Sequence, residues 1–128
     1  MRHRYYKLNK LNTGVQKKSI FLRNLLTSLI THGTITTTSK RAQVLEAYAN
    51  AFFAKLIGMT QKYEKADAQR EMGREVKRLV LEEKAGKKVV QDLIPQYQQT
   101  QKASQFVSLY KLGPRKGDGA EEILVKLS

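Results

Sequence analysis

No carboxylate occurs in this chain before Glu46. The 45 residues ahead of it hold nine cations: Arg2, Arg4, Lys7, Lys10, Lys17, Lys18, Arg23, Lys40 and Arg41. Such a block cannot neutralise itself, and like charges extend the backbone until a counter-charge arrives from outside. The other 83 residues hold 15 Lys and Arg against all 11 Asp and Glu, so most of the net charge of +13 sits in the first third. A merely solvated tail would mix signs or carry Ser and Pro, and residues 1–14 do neither. They are expected to form a basic extended arm that a phosphate surface orders. Residues 15–128 then make one domain, since 128 residues suffice for one modest core. An excess of this sign favours a polyanionic partner and says nothing of fold.

Behind Thr13-Gly14, apolar Leu22, Leu25, Leu26 and Leu29 repeat at the helical period, predicting a helix over 15–32 closed by Gly33. Thr34-Ile35-Thr36-Thr37-Thr38 is β-branched throughout and reads as a strand. Thr38 or Ser39 is expected to cap a second helix whose face is Leu45, Tyr48, Ala49, Phe52, Phe53 and Leu56, ending near Gly58. A third helix is expected over 66–85, with Met72, Val76, Leu79 and Val80 inward and a stop at Gly86. Along it, Glu71 with Arg74 and Glu75 with Arg78 bring opposite charges together. Residues 88–94 read as a short helical piece stopped by Pro95, and the Gln-rich stretch 96–105 as a connector.

Two β-rich runs, 106–112 and 123–127, flank Gly113-Pro114-Arg115-Lys116-Gly117-Asp118-Gly119 and predict a hairpin. The early Thr strand is its only candidate neighbour. Tyr48 and Tyr110 fall on apolar stripes and are expected in the core. The fold expected is α+β: about three helices packed against a small sheet with a C-terminal hairpin, preceded by the basic arm.

Several chemistries find no residues to carry them. The chain has no Cys, which removes disulfides, thiolate metal sites and thiol nucleophiles. His3 and His32 stand far apart, one in the arm and one at a helix end, so no metal site is expected. Glu82-Glu83 and Glu121-Glu122 are sequence neighbours that do not face one another on a helix and point to opposite sides of a strand. No Ser, His and acid fall at a recognisable spacing, and no Gly-rich phosphate loop of the nucleotide-binding kinds occurs. No catalytic residue and no cofactor are expected. No apolar run reaches the ~20 residues that span a bilayer, and the first residues lack the apolar core of a signal peptide, so a cytoplasmic protein is expected.

Three basic clusters remain. The arm mixes Arg2, His3, Arg4, Lys7 and Lys10 with Tyr5 and Tyr6. Lys and Arg neutralise phosphates, and Tyr stacks on an unpaired base or donates to a phosphate oxygen. Lys17 and Lys18 open the first helix, followed by Arg23 and Asn24, with 17, 20/21 and 24 sharing a face. Arg115 and Lys116 sit at the hairpin tip. Arg41, at the start of the second helix, completes the set of candidate phosphate contacts.

Met1-Arg2-His3-Arg4, Lys10-Leu11-Asn12, Leu22-Arg23-Asn24-Leu25, Thr27-Ser28-Leu29-Ile30, His32-Gly33, Ile35 and Thr37-Thr38 occur in that order. With Lys111-Leu112-Gly113-Pro114-Arg115-Lys116-Gly117-Asp118, this run resembles bacterial large-subunit ribosomal protein seventeen. The match is strong over 1–57 and 104–127 and weak between. The resemblance implies an α+β domain on large-subunit (23S-type) rRNA, towards the face where the nascent chain exits, with neighbouring ribosomal proteins as partners. It implies Arg2, His3, Arg4, Lys10, Asn12, Arg23, Asn24, Arg115 and Lys116 as RNA contacts, and no membrane or small-molecule substrate. The chain departs from the family in having Val15-Gln16-Lys17-Lys18 at the mouth of the first helix and Ser104-Gln105-Phe106-Val107-Ser108 at the penultimate strand.

Two rivals are weaker. A DNA-binding regulator would use the second helix for recognition, yet its strong face is apolar and aromatic. A nuclease would need the acid–base set that is missing.

Overall fold

A computed structural model of the chain describes residues 18–101 and 104–127, so the arm expected over 1–14 lies outside the described residues. The first described element is α1 (Lys18–His32). Leu22, Leu26, Leu29 and Ile30 are buried and Leu25 half-buried, as the spacing requires. Gly33 ends the helix at φ +78, a left-handed conformation that glycine adopts without a Cβ penalty, and its N–H donates to the Leu29 carbonyl at 2.7 Å. Lys88 donates to the Ile30 carbonyl at 2.9 Å, placing a cation at the negative end of α1.

The chain then forms β1 (Thr34–Thr38), α2 (Ser39–Lys62) and α3 (Lys65–Leu79). A fourth helical segment follows without interruption as α4 (Glu83–Lys88), a wide π turn (Val89–Leu93) and α5 (Ile94–Gln99). The hairpin β2 (Val107–Pro114) and β3 (Glu121–Leu127) completes an antiparallel sheet of order β1-β3-β2. The Thr strand is thus the hairpin's neighbour, as expected. Ile35, Val125 and Leu109 lie in register on the face towards the helices. Phe53 of α2, Tyr97 of α5 and Phe106 before β2 meet with ring centroids 5.0–5.7 Å apart and tie the two halves of the chain together.

Several boundaries differ from the sequence expectation. Thr38 occupies the N-cap position of α2, but its side chain makes no capping bond; it is also the last residue of β1, in register with Glu122. The helix continues through Gly58 to Lys62, because buried Leu56 and Ile57 hold it down while Gly58 faces solvent. The third helix ends at Leu79, six residues early. Val80 turns into extended backbone (φ −100, ψ 124) yet remains 5% exposed, so apolar periodicity outlives the helix. The Leu81 N–H there donates to Thr27 Oγ1 at 3.1 Å.

Gly86 is no stop: it lies within α4, where a Cβ would stand 3.0 Å from Val76 Cγ1, so its role is close approach of α4 to α3. Pro95 is passed rather than obeyed. The Ile94 N–H reaches back to the Val89 carbonyl, and this wider turn just before Pro95 relaxes the backbone where its ring would crowd an α-helix. The expected connector is helical as far as Gln99 and buries Tyr97 at 2% exposure. Tyr110 is not core: it shares the outer sheet face with Thr36 and Leu124 and is 51% exposed, while Tyr48 is half-buried.

Candidate nucleic-acid interface

Five residues of strand cover about 17 Å, comparable to the length of α1, so β1 carries the chain back along the helix that precedes it. The first turn of α2 therefore stands beside the first turns of α1. Leu22 and Val44 pack together there, with Phe21 and Tyr48 against them. The Arg41 guanidinium rests over the Phe21 ring, 4.7 Å from its centroid. A cation held by an aromatic face keeps its N–H edges available to an acceptor, and the contact contributes about 0.5–1 kcal/mol at an exposed site. The first turn of α2 holds no acid. Ile20 and Asn24 are exposed on α1 nearby, in line with the shared face expected for them.

Of the candidate residues, Arg2, His3, Arg4, Tyr5, Lys7, Lys10, Asn12 and Lys17 lie outside the described residues. Lys18 opens α1. Arg41 and Asn24 are exposed at the α1–α2 junction. Arg23 is half-buried, its Nε enclosed without a hydrogen-bond partner, beside the Tyr48 hydroxyl. Burial raises the Tyr48 pKa above its ordinary value, against the opposing pull of Arg23 and Arg78. Both pairs expected on α3 form, Arg74 to Glu71 at 3.1 Å and Arg78 to Glu75 at 2.7 Å.

The hairpin tip is more constrained than its composition suggests. Arg115 Nε donates to Asp118 Oδ1 at 2.7 Å and Nη2 to Oδ2 at 2.6 Å. Asp118 Oδ1 also accepts the Ala120 N–H, and the fork from Arg115 holds the carboxyl well below the usual carboxylate range. Arg115 is thus engaged within the loop, and Lys116 is exposed beside it. The spacing Arg-x-x-Asp in a Gly-rich turn was the available signal for this lock.

Sequence reading missed the seat of Arg41 on Phe21, a contact across 20 positions that no local period reveals. It also missed that Arg41, Tyr48 and Lys55 are spaced by seven and so lie along one stripe of α2. The rest of α2 is the centre of the core, with Ala42, Val44, Leu45, Ala49, Phe52, Phe53, Leu56 and Ile57 buried, which prevents it from entering a DNA groove. Glu82 and Glu83 are exposed, the latter 3.5 Å from Lys87, and Glu121 lies 3.8 Å from Lys111; these are surface charges. Among the described residues no three His, Asp or Glu are grouped to hold a metal, and no helix is long and apolar enough to cross a membrane.

Comparison with known proteins gives a consistent result. The family profile described as ribosomal protein L17 matches residues 21–128. The large ribosomal subunit protein bL17 of Clostridium acetobutylicum is 32% identical over 118 residues, 92% of this chain and 94% of that protein. Those of Clostridium perfringens and Clostridium botulinum are 31% and 30% identical over the same length, covering 92% of this chain and 95% of each relative.

Proposed function

We propose, from the premise that this chain belongs to the ribosomal protein L17 family, that it is a structural component of the large ribosomal subunit which binds rRNA through its acid-free leading segment and supports translation. Its place is then in the ribosome, cytoplasmic in bacteria, and its role is assembly rather than catalysis. The observation that carries the RNA reading is the α1–α2 junction. There Arg41 is presented on Phe21 at the surface, within a stretch whose nine cations have no acid of their own. The basic arm, the start of α1 and Lys116 at the hairpin tip are further phosphate contacts in this reading. Arg115 holds the tip in shape. A-form RNA is recognised mainly by backbone and shape, so many Lys/Arg–phosphate contacts and few base-specific ones are expected. Neighbouring ribosomal proteins on the nascent-chain exit side are the partners that the family resemblance implies.

The test is binding of the full chain to a large-subunit rRNA transcript across a salt series, with duplex DNA as competitor. A steep fall of affinity with salt and weak competition by DNA are expected. Deleting residues 1–14 should leave the domain folded and cut its retention on large subunits. Retention through a wash that strips other proteins would remove the arm from the reading.

A further inference from the structure

A second group of cations lies where α2 packs on α3, outside the acid-free segment. Glu75 Oε1 accepts from Lys55 Nζ at 3.0 Å and from Arg78 Nη2 at 2.7 Å. The Glu75 side chain is 11% exposed and forms the floor, whereas Lys55 and Arg78 are 51% and 62% exposed and form the rim. Arg23 approaches from α1 beside Tyr48, its Nε enclosed and without a hydrogen-bond partner. Two cations, one from α2 and one from α3, therefore share one carboxylate, and Arg23 stands beside Tyr48, one α2 heptad before Lys55. Exposed pairs contribute little to stability, so holding α2 to α3 is a weak account of this cluster. Here one positive charge remains in excess, and the neighbouring Glu71 is engaged by Arg74.

The placement is continuous with the α1–α2 junction. Arg41, Tyr48 and Lys55 follow one another along a single stripe of α2, about 21 Å from first to last. Glu46, the first acid of the chain, stands about 140° around the helix from Arg41 and off that stripe. An acid-free track thus runs along α2 from Arg41 to the rim of the Glu75 cluster.

We infer that a bound RNA strand continues from Arg41 along α2, past Arg23 and Tyr48, into a second phosphate subsite formed by Lys55 and Arg78 on Glu75. The inference rests on the RNA reading above. Glu75 holds Lys55 and Arg78 in place before the strand arrives, and the phosphodiester oxygens meet the remaining positive charge.

Salt-dependent binding of the full chain to a large-subunit rRNA transcript separates this from a structural network. Lys55→Gln with Arg78→Gln should lower affinity about five- to twentyfold and reduce the magnitude of the log K against log salt slope by about 1.4, two phosphate contacts at about 0.7 each. Glu75→Gln keeps an acceptor oxygen and removes the competing charge, so it should raise affinity about threefold; a structural network predicts no gain. An unchanged slope in the double variant, or unchanged or weakened binding by Glu75→Gln, overturns the inference. Arg41→Gln is the control for the parent reading. If it weakens binding while the double variant does not, only the second subsite fails; if wild-type protein shows no salt-dependent binding, the RNA reading itself fails.

Discussion

Asn50 is a polar link between the helical layer and the entry to the C-terminal hairpin, and replacing it with alanine puts a figure on that junction. Its Oδ1 accepts the Phe106 N–H at 3.0 Å across 56 positions of sequence. Phe106 is fully buried, and Gln105 just before it sits at φ +57, so the entry to β2 is held in a left-handed conformation. Asn50→Ala leaves the Phe106 N–H without its acceptor. An orphaned buried donor costs about 1–3 kcal/mol. Alanine in a helix interior returns about 0.5 kcal/mol over asparagine. The net destabilisation expected is about 0.5–2.5 kcal/mol, read as the change in unfolding free energy from urea titrations followed by far-UV circular dichroism. Asn50→Asp keeps an acceptor in the same place and should lose less than half as much. If the alanine variant unfolds within about 0.3 kcal/mol of wild type, or the aspartate variant is as unstable as alanine, the bond does not hold the junction.

Two other perturbations probe the cationic surface. Phe21→Leu keeps an apolar side chain but removes the ring under Arg41, so affinity for large-subunit rRNA should fall about two- to fivefold, matching about 0.5–1 kcal/mol; unchanged affinity would mean that the ring does not position Arg41. At the hairpin tip, the Asp118 carboxyl is depressed by Arg115, so the lock is complete above the ordinary carboxylate value of about 3.9 and is lost only as pH falls through the lower folded value. The Ala120 amide resonance should therefore stay constant down through pH 4, and Asp118→Asn should shift it at neutral pH; a midpoint near 4 would show that the fork does not persist in solution.

What the sequence revealed and what it hid follow from the range of the forces involved. Local period and turn chemistry sufficed for α1 with its Gly33 stop, for the Thr strand, for the hairpin and for its pairing with β1. The errors cluster between Gly58 and Gln105, where tertiary packing overrides local signals. Gly58 and Gly86 read as stops, yet one faces solvent in a helix held by its neighbours and the other makes room for Val76. Val80 kept the apolar rhythm after the backbone had turned, and Gln-rich surroundings hid Tyr97 in the core. The interface was legible as charge and opaque as geometry. An acid-free block can be counted, whereas the partners of Arg41, Arg23 and Lys55 come from other helices. Arg115 is the exception, since its partner lies three residues away and was open to a local reading.

Ultraviolet cross-linking of large ribosomal subunits that carry this protein, followed by mapping of the RNA-linked peptides, tests the central claim most directly. RNA-linked peptides are expected chiefly from residues 1–45, including the one that contains Arg41. Peptides from that segment recovered free of RNA, with cross-links confined to the rest of the chain, would contradict it.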